Sequence, residues 1–406
     1  MTRTLLLVGT RKGAFIVDGG KDRTGWSMSE PLCEGWPIHD LQWDDATGSI
    51  YAGGGSPWYG PAVFRSDDLG TSWTHSSEGM TYGDDGDKIP TVWNVTPAHG
   101  SIYAGVEPAG LFRSDDGGKT WSHSSEGMTY GDDGDKIPTV WNVTPAHGSI
   151  YAGVEPAGLF RSDDGGATWA HMSGLRDHPS RQDPGWSPGA GGLICHTIVP
   201  HPSDADRMWV AISAVGTFAT EDGGATWEAR NSGVIDCNAP DPHPETGQCV
   251  HKLVMATGEP DTLYQQNHCG VYRSFDAGRT WQEISAGLSS EFGFVMGTHP
   301  RDAATAWVIP LSHPEEGRMA PGGALAVWRT RDRGDSWERQ ANGLPQEDAY
   351  VAVLREAMSV DRGDPAGIYF GTSTGQLYGS TDEGASWNRI ADNLPAIWGV
   401  QAIEVD

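Results

Sequence analysis

The sequence predicts an all-β protein built from many short strands, and two observations support that prediction. One octapeptide pattern, Ser/Thr-x-Asp-x-Gly-x-Ser/Thr-Trp, occurs seven times in the 406 residues. Around each copy, short runs rich in β-branched and aromatic residues are bounded by glycine, proline and aspartate, and no stretch has a convincing helical period. A repeated unit made only of strands and turns indicates an array of small sheets.

The octapeptides recur at the length of a four-stranded sheet. Successive third-position aspartates are 48, 48, 58, 54, 56 and 50 residues apart, which is the size of a β-propeller blade with variable loops. In each octapeptide the aspartate is expected to accept backbone hydrogen bonds in a tight turn, and the tryptophan to pack between sheets. We therefore predict a structural role for all seven aspartates, which are Asp68, Asp116, Asp164, Asp222, Asp276, Asp332 and Asp382.

The strands that surround the octapeptides predict a closed ring. After blade one, the inner strands begin near Val92, Val140, Ile194, Val250, Phe292 and Tyr350. Residues 397–404 form one more inner strand with nothing after it, and residues 4–29 supply three strands that lack an inner strand. Pairing the two ends predicts a single eight-bladed β-propeller of four-stranded antiparallel blades. This propeller is expected to be one domain over residues 1–406, without open sheet edges.

Two neighbouring blades are near-copies of each other. Residues 75–118 recur as residues 123–166, an identity of 44 residues at an offset of 48. Old repeats diverge, so this identity predicts a recent or engineered duplication in a seven-bladed parent. Such an insertion is tolerable because each blade mainly contacts its two neighbours.

The octapeptide resembles the Asp box, or BNR repeat, over nearly the whole chain. Asp-box β-propellers include sialidases, xyloglucan-degrading glycosidases, sortilin-like receptors and photosystem assembly factors. The resemblance implies a ligand site on the channel face opposite the boxes. Sialidases of this group carry a Phe-Arg-Ile-Pro segment, whereas in residues 88–90 neither arginine nor phenylalanine precedes the Ile-Pro. We therefore expect no sialidase activity. This chain also has one ring, where xyloglucan-type glycosidases form a cleft between two.

The charge of the chain restricts its partners. With 27 basic and 54 acidic residues the net charge is -27, which opposes binding to nucleic acid and to anionic membranes. Because no apolar run approaches a membrane span and the N-terminal apolar segment is short for a signal peptide, we predict a cytoplasmic protein. That location predicts free thiols, although Cys237 and Cys249 flank a proline-rich loop and can pair.

The candidate ligand residues lie near the starts of inner strands and in the long loops of one face. They are His39, His196, His251, His268, Arg318, Arg355 and Glu356. Cysteines adjoin three of the histidines, so His196, His251 and His268 are candidate ligands of zinc or iron. The alternative is channel histidines that are hydrogen-bonded to neighbours or water. Strand spacing predicts that Arg355 and Glu356 point to opposite faces, so that at most one enters the channel.

Two clusters of acidic residues are further candidate sites. Asp84, Asp85 and Asp87 lack the bidentate glutamate of a calcium hand, which favours a solvated turn. Glu315 and Glu316 lie beside Arg318 in a loop, where ion pairing or carboxylate recognition is possible.

Two function classes follow from these residues. The first is a binding or scaffold protein that holds a small molecule, a glycan or a protein segment at the channel face. The second is a glycoside hydrolase-like or metal-dependent enzyme that uses channel-face histidines and glutamates. No complete catalytic set is visible in the sequence, which favours the first, and no cofactor is indicated.

Overall fold

The structure, a computed structural model, describes residues 2–82, 88–107, 110–129, 139–183 and 185–406. In chain order the strands are β1 (Arg3–Thr10), β2 (Gly13–Asp18), β3 (Ser27–Met28), β4 (Ile38–Asp44), β5 (Ser49–Ser56), β6 (Gly60–Ser66), β7 (Thr74–Ser76), β8 (Thr91–Ala98), β9 (Ser101–Glu107), β10 (Leu111–Ser114), β11 (Ser122–His123), β12 (Thr139–Ala146), β13 (Ser149–Glu155), β14 (Gly158–Ser162), β15 (Ala170–His171), β16 (Cys195–Pro200), β17 (Met208–Ile212), β18 (Gly216–Thr220), β19 (Glu228–Ala229), β20 (Val250–Ala256), β21 (Glu259–Asn267), β22 (Gly270–Ser274), β23 (Gln282–Glu283), β24 (Gly293–Thr298), β25 (Ala306–Pro310), β26 (Val327–Thr330), β27 (Glu338–Gln340), β28 (Met358–Val360), β29 (Ile368–Gly371), β30 (Leu377–Ser380), β31 (Asn388–Ala391) and β32 (Ile397–Val405). The helical segments are α1 (Ser173–Arg176) and the 3-10 turns Cys33–Gly35, Pro179–Arg181, Pro314–Glu316 and Pro321–Gly323. Within the described ranges, no helix is long and apolar enough to cross a membrane.

These strands form eight antiparallel blades of four strands each within the described part of the chain. Blades one to seven take β4–β7, β8–β11, β12–β15, β16–β19, β20–β23, β24–β27 and β28–β31, in that order. Blades one and two share a sheet only through the single pairing of Gly55 with Thr91. The all-β fold class and its four-stranded blades are therefore as predicted.

Blade eight joins the two ends of the chain. Its strand order is β3-β2-β1-β32, and β1 pairs with β32 from Arg3 opposite Val405 to Gly9 opposite Gly399. The side chains of Leu6, Val8 and Ile397 are fully buried against blade seven. This pairing confirms the predicted closure by the N- and C-terminal strands.

Each octapeptide closes the turn between the third and fourth strands of a blade. In the third copy, Asp164 accepts hydrogen bonds from the Thr168 backbone N–H at 2.9 Å and the Thr168 hydroxyl at 2.7 Å. The tryptophan that ends the motif, Trp169, donates its backbone N–H to the carbonyl of Glu126 in the preceding blade at 2.8 Å. Gly127 sits beside this contact with φ +85°, and a Cβ there would lie 2.1 Å from the Trp169 carbonyl oxygen. The motif therefore shapes a turn and also joins adjacent blades.

The box aspartates make the stability of the ring sensitive to acid. Hydrogen bonds lower the pKa of Asp164 to about 2, and the bond from the Thr168 backbone N–H has the largest effect. The pKa values of the other six box aspartates are also lowered. An unfolded aspartate titrates at about 4, so this stabilisation is complete above about pH 4 and is lost as the pH falls toward about 2. We expect the melting temperature to drop steeply in that window, with a shallower drop in Asp164→Asn. A variant with the wild-type pH profile would contradict this.

The inner strand of blade seven departs from the prediction. It begins at Met358 rather than near Tyr350, whereas the predicted starts of the inner strands of blades two to six hold within one residue. The preceding residues bond to loops instead of to a second strand. The Val351 carbonyl accepts from Ala320 in a blade-six loop at 2.9 Å, and Ala352 exchanges hydrogen bonds with Ser373. These contacts with loops take the place of the hydrogen bonds that the start of the inner strand would otherwise make with the second strand.

Candidate functional site at the channel mouth

The inner strands share an irregularity near their starts. In the inner strands of blades one to six, and in β32 of blade eight, the pairing register slips within the first few residues. A bulge leaves a residue unpaired and re-aims its side chain. The residues at this position, with Arg355 as the member from blade seven, are His39, Trp93, Trp141, His196, His251, Phe294, Arg355 and Trp398. We call these eight residues the mouth ring, because they lie where the channel meets the loops between blades.

One half of the mouth ring is a continuous row of aromatic side chains. His39 stacks on Trp398 with ring centroids 4.8 Å apart and lies 4.3 Å from Trp93. Trp93 in turn stacks on Trp141 at 5.2 Å. All four rings are half-buried, so they keep solvent-accessible surface. We call Trp398, His39, Trp93 and Trp141 the aromatic row, and it gives the channel mouth an apolar wall across blades eight, one, two and three.

The residues that follow the mouth ring place charged groups in the channel. Lys252 Nζ lies 2.8 Å from Glu356 Oε2, an ion pair that joins blades five and seven. Desolvation in the channel tends to raise the pKa of Glu356. The attraction and hydrogen bond of the Lys252 ammonium have the larger effect and hold the pKa of that carboxyl below its usual value. Glu356 is therefore a carboxylate at neutral pH, with its side chain exposed in the channel.

Asp40 is a second carboxyl in the channel, and its surroundings raise its pKa where those of Glu356 lower it. It accepts hydrogen bonds from the Val95 backbone N–H and the Gln42 amide, both at 2.9 Å. Burial, reinforced by the charge of Glu356, nevertheless raises the pKa of Asp40 to about 6. The channel thus contains one carboxyl that is protonated near pH 6 and one that is ionised. Such a separation is typical of acid and base pairs at functional sites.

We expect Asp40→Asn to stabilise the protein in a pH-dependent way. Because the folded pKa is raised from about 4 to about 6, Asp40 costs no stability below about pH 4 and its full cost of about 3 kcal/mol above about pH 6. Asparagine can still accept the Val95 hydrogen bond but carries no charge. Calorimetry should therefore give a higher melting temperature for the variant at pH 8 and equal values at pH 4. A difference that is the same at both pH values would contradict the assignment.

Glu356 reaches Lys252 across the channel, whereas the prediction that at most one of Arg355 and Glu356 enters the channel stays a prediction. Burial is the main cause that lowers the pKa values of His196 and His251, and the positive charge of Arg355 lowers them further. The prediction assumed alternating strand geometry, but these residues precede β28 in irregular backbone. The Nε of Arg355 is buried and has no hydrogen-bond partner among the described residues.

The predicted histidines separate into two groups. Both ring nitrogens of His196 are engaged, one 2.8 Å from the Thr197 hydroxyl and the other 2.9 Å from the Val250 carbonyl oxygen. His251 and His268 instead converge with the thiol of Cys249, and one potential ligand atom from each lies within 4.8 Å of the others. Arg318 is exposed and lies over the rings of Phe292 and Phe294 at 5.8 and 6.0 Å.

The cysteine pairing differs from the prediction. Cys237 forms a disulfide with Cys269, whose Cα atoms are 6.0 Å apart, and Cys249 is free. The predicted free thiol is confirmed for Cys249 and is wrong for Cys237, and the alternative Cys237–Cys249 pairing is wrong, because the loop after β21 brings Cys269 to Cys237. Glu315 and Glu316 are exposed in a 3-10 turn, and the acidic run of residues 84–87 lies outside the described residues.

Sequence reasoning missed several groups at the mouth. They are Trp93, Trp141, Trp398, Phe294, Asp40 and Lys252. Residue type points to the histidines, whereas the position of a residue in its inner strand identifies the other members of the mouth ring. Aligning the inner strands on their first buried apolar residue places one mouth-ring side chain directly after it in blades one to five and in blade eight.

Comparisons with known proteins agree with this architecture. The family model of the BNR/Asp-box repeat matches residues 112–123. A xyloglucanase of Paenibacillus sp. is 24% identical over 234 residues, which cover 50% of this chain and 21% of that protein. The chain thus spans about a fifth of the length of this relative.

Solved structures resemble the whole ring. AztD of Citrobacter koseri superposes with a TM-score of 0.55 at 10% identity, covering 100% of this chain and 99% of its own. YCF48 bound to D1 peptide superposes with a TM-score of 0.50 at 14% identity, covering 84% and 92%. At these identities the likeness shows the fold alone. The chain is therefore a β-propeller, and its seven octapeptides together with the repeat model that matches one of them support a propeller of the BNR, or Asp-box, type.

Proposed function

We propose that this propeller is a binding protein that holds a segment of an uncharged glycan at the channel mouth. The observation that carries the proposal is the aromatic row, four half-buried rings in continuous contact on one side of the channel. Ligand sites combine such apolar walls with a few placed polar groups. Here the polar groups are Lys252, Glu356 and Asp40, each of which directly follows a residue of the mouth ring in sequence.

Two further observations favour a neutral glycan over other ligands. The net charge of -27 repels anionic ligands such as nucleic acids, whereas an uncharged sugar chain meets no such barrier. Sugar rings also offer both an apolar face for the aromatic row and hydroxyl groups for the channel carboxylates. The 24% identical relative is a xyloglucanase, so xyloglucan oligosaccharides are the first probes.

A glycoside hydrolase is the second candidate, and the two channel carboxyls favour it. Asp40, with its pKa of about 6, has the protonation expected of a general acid, and the ionised Glu356 has that of a base or nucleophile. Release of reducing ends that is lost in both Asp40→Asn and Glu356→Gln would establish this function. Binding without turnover supports the binding protein.

Truncating the aromatic row is expected to weaken glycan binding. By calorimetry with xyloglucan oligosaccharides, Trp93→Ala and Trp141→Ala should each reduce affinity about tenfold, since a lost aromatic contact costs about 1 kcal/mol or more. Trp58→Ala is the matched control, because Trp58 is 94% exposed and is not a member of the row. Equal affinities in all variants would refute the site. Binding of an extended peptide in place of the glycan would refute the ligand class.

The domain organisation and location are part of the proposal. We propose that residues 1–406 act as one propeller domain, supported by the pairing of β1 with β32. The cytoplasmic location remains a prediction, and the Cys237–Cys269 disulfide is a feature more typical of oxidising compartments.

A further inference from the structure

A thiol and two imidazoles converge beside the channel mouth on blade five. Cys249 and His251 flank Val250, and the register slip at His251 re-aims its side chain away from regular strand alternation. Val250 pairs with Asn267 in β21, and the backbone N–H of the next residue, His268, donates to the Cys249 carbonyl at 2.9 Å. One potential ligand atom from each of the three side chains lies within 4.8 Å of the others.

These separations are close to those of a metal centre. Nitrogen and sulfur atoms bound to tetrahedral zinc at about 2.0–2.3 Å are about 3.3–3.8 Å from one another. The three atoms lie within 4.8 Å of one another, so metal binding would draw them together by rotation of Cys249 and His268, which are both half-buried.

The hydrogen bonding of His251 suits a metal ligand. Its Nδ1 lies 2.6 Å from the Gly293 carbonyl oxygen, which only accepts, so Nδ1 carries the proton. Nε2 therefore holds a free lone pair. A histidine that donates one ring N–H to a carbonyl and offers the other nitrogen is the usual arrangement around protein-bound metals.

The surroundings hold the three side chains in place. The ring of Phe292 packs edge to face against both His251 and His268, at 5.2 and 5.1 Å. The disulfide of Cys269, the residue after His268, ties this loop to Cys237. The site is therefore built from two paired strands and a cross-linked loop, as a preorganised centre requires.

The donor atoms select the kind of metal. A Cys249 thiolate offsets part of the charge of a bound cation, and binding releases the thiol proton. Hard cations such as Ca²⁺ and Mg²⁺ prefer oxygen ligands, while one thiolate with two imidazoles suits zinc or copper.

We propose that Cys249, His251 and His268 form a binding site for one thiophilic metal ion, Zn(II) or Cu(I), in the mouth of this propeller. The site is separate from the aromatic row and does not depend on glycan binding. The Cys249 thiol loses its proton to solvent as the sulfur–metal bond forms, and neither the metal nor the sulfur changes oxidation state.

The test is a titration of the full chain with Co(II), a spectroscopic substitute for zinc, without oxygen and without thiol reductants. We expect one equivalent to bind with a thiolate-to-cobalt charge-transfer band, which Zn(II) abolishes by displacement. Cys249→Ser should lose that band, and Cys249→Ser and His268→Gln should each weaken Zn(II) binding by about 100-fold or more, since even indirect supports of a metal site are worth about 10–100-fold. A parallel Cu(I) competition titration identifies the preferred ion.

The same titration includes a control variant, and three of its possible results would contradict the proposal. His243→Gln removes an exposed histidine from a nearby loop and should bind as the wild type does. Circular dichroism and melting of the metal-free variants verify that each one folds. Cobalt binding without a thiolate band, unchanged affinity in Cys249→Ser, or the absence of both Zn(II) and Cu(I) binding would overturn the proposal.

Discussion

Removing the last ten residues, 397–406, is expected to unfold the protein at room temperature. The deletion takes away the inner strand of blade eight and with it four buried aliphatic side chains, Ile397, Val400, Ile403 and Val405. At about 1.5–3 kcal/mol each, their burial is worth about 6–12 kcal/mol, which matches the whole stability of a typical domain. The deletion also exposes the edge of β1 and invites aggregation.

The measurement is far-UV circular dichroism with size-exclusion chromatography of the truncated chain. Removal of the exposed Asp406 alone is the control and should leave the melting temperature unchanged within about 1 °C, as is usual for an exposed surface residue. A monomeric truncated protein that still melts cooperatively would show that the ring does not need its terminal closure.

Deleting residues 75–122, almost five times as many, is expected to leave a folded ring of seven blades. The deletion removes one full period of the duplicated sequence, so each new interblade contact replaces an equivalent one. The amide of Asn94 donates to the Val140 carbonyl at 2.9 Å, and that of Asn142 donates to the Cys195 carbonyl at the same distance. Asp40 of blade one accepts from the Val95 backbone N–H, and Val143 is the copy of Val95, so joining Thr74 to His123 recreates the existing interface between blades one and two.

Cooperative melting and an unchanged β-type spectrum per residue are the expected results for this deletion. Deleting residues 75–98, which removes only part of a blade, is the matched control and should aggregate. If the 48-residue deletion aggregates as well, eight blades are the native number and the parent with seven blades is wrong. The shortened ring should also bind glycan more weakly, because it lacks Trp93 and its aromatic row has one ring fewer.

Most of the fold could be predicted from the sequence because its determinants are local. The Asp box carries its own hydrogen bonds between residues two to four positions apart, as between Asp164 and Thr168, so its spacing reports the blade length. The closure was predictable because an inner strand at residues 397–404 lacked partners and residues 4–29 lacked an inner strand. The start of β28 was not predictable, since contacts with Ala320 and Ser373 in distant loops decide it.

The candidate site was only partly predictable. Reasoning from residue types selected the histidines, and the structure brings His251 and His268 together but leaves His196 bonded to backbone and hydroxyl groups. The pairing of Cys237 with Cys269 depends on how two loops approach, which spacing along the chain does not encode. The aromatic row escaped notice because a tryptophan in a strand ordinarily signals core packing, and only the ring geometry places four such side chains side by side.

The central claim is that the aromatic row forms the ligand-binding surface, and fluorine NMR of the protein labelled with 5-fluorotryptophan tests it most directly. Resonances of Trp93, Trp141 and Trp398 are assigned by replacing each residue with phenylalanine. On titration with a xyloglucan oligosaccharide, we expect these three resonances to shift together and to saturate, while that of the exposed Trp58 stays in place. Saturable glycan binding that leaves all three row resonances unmoved would contradict the account.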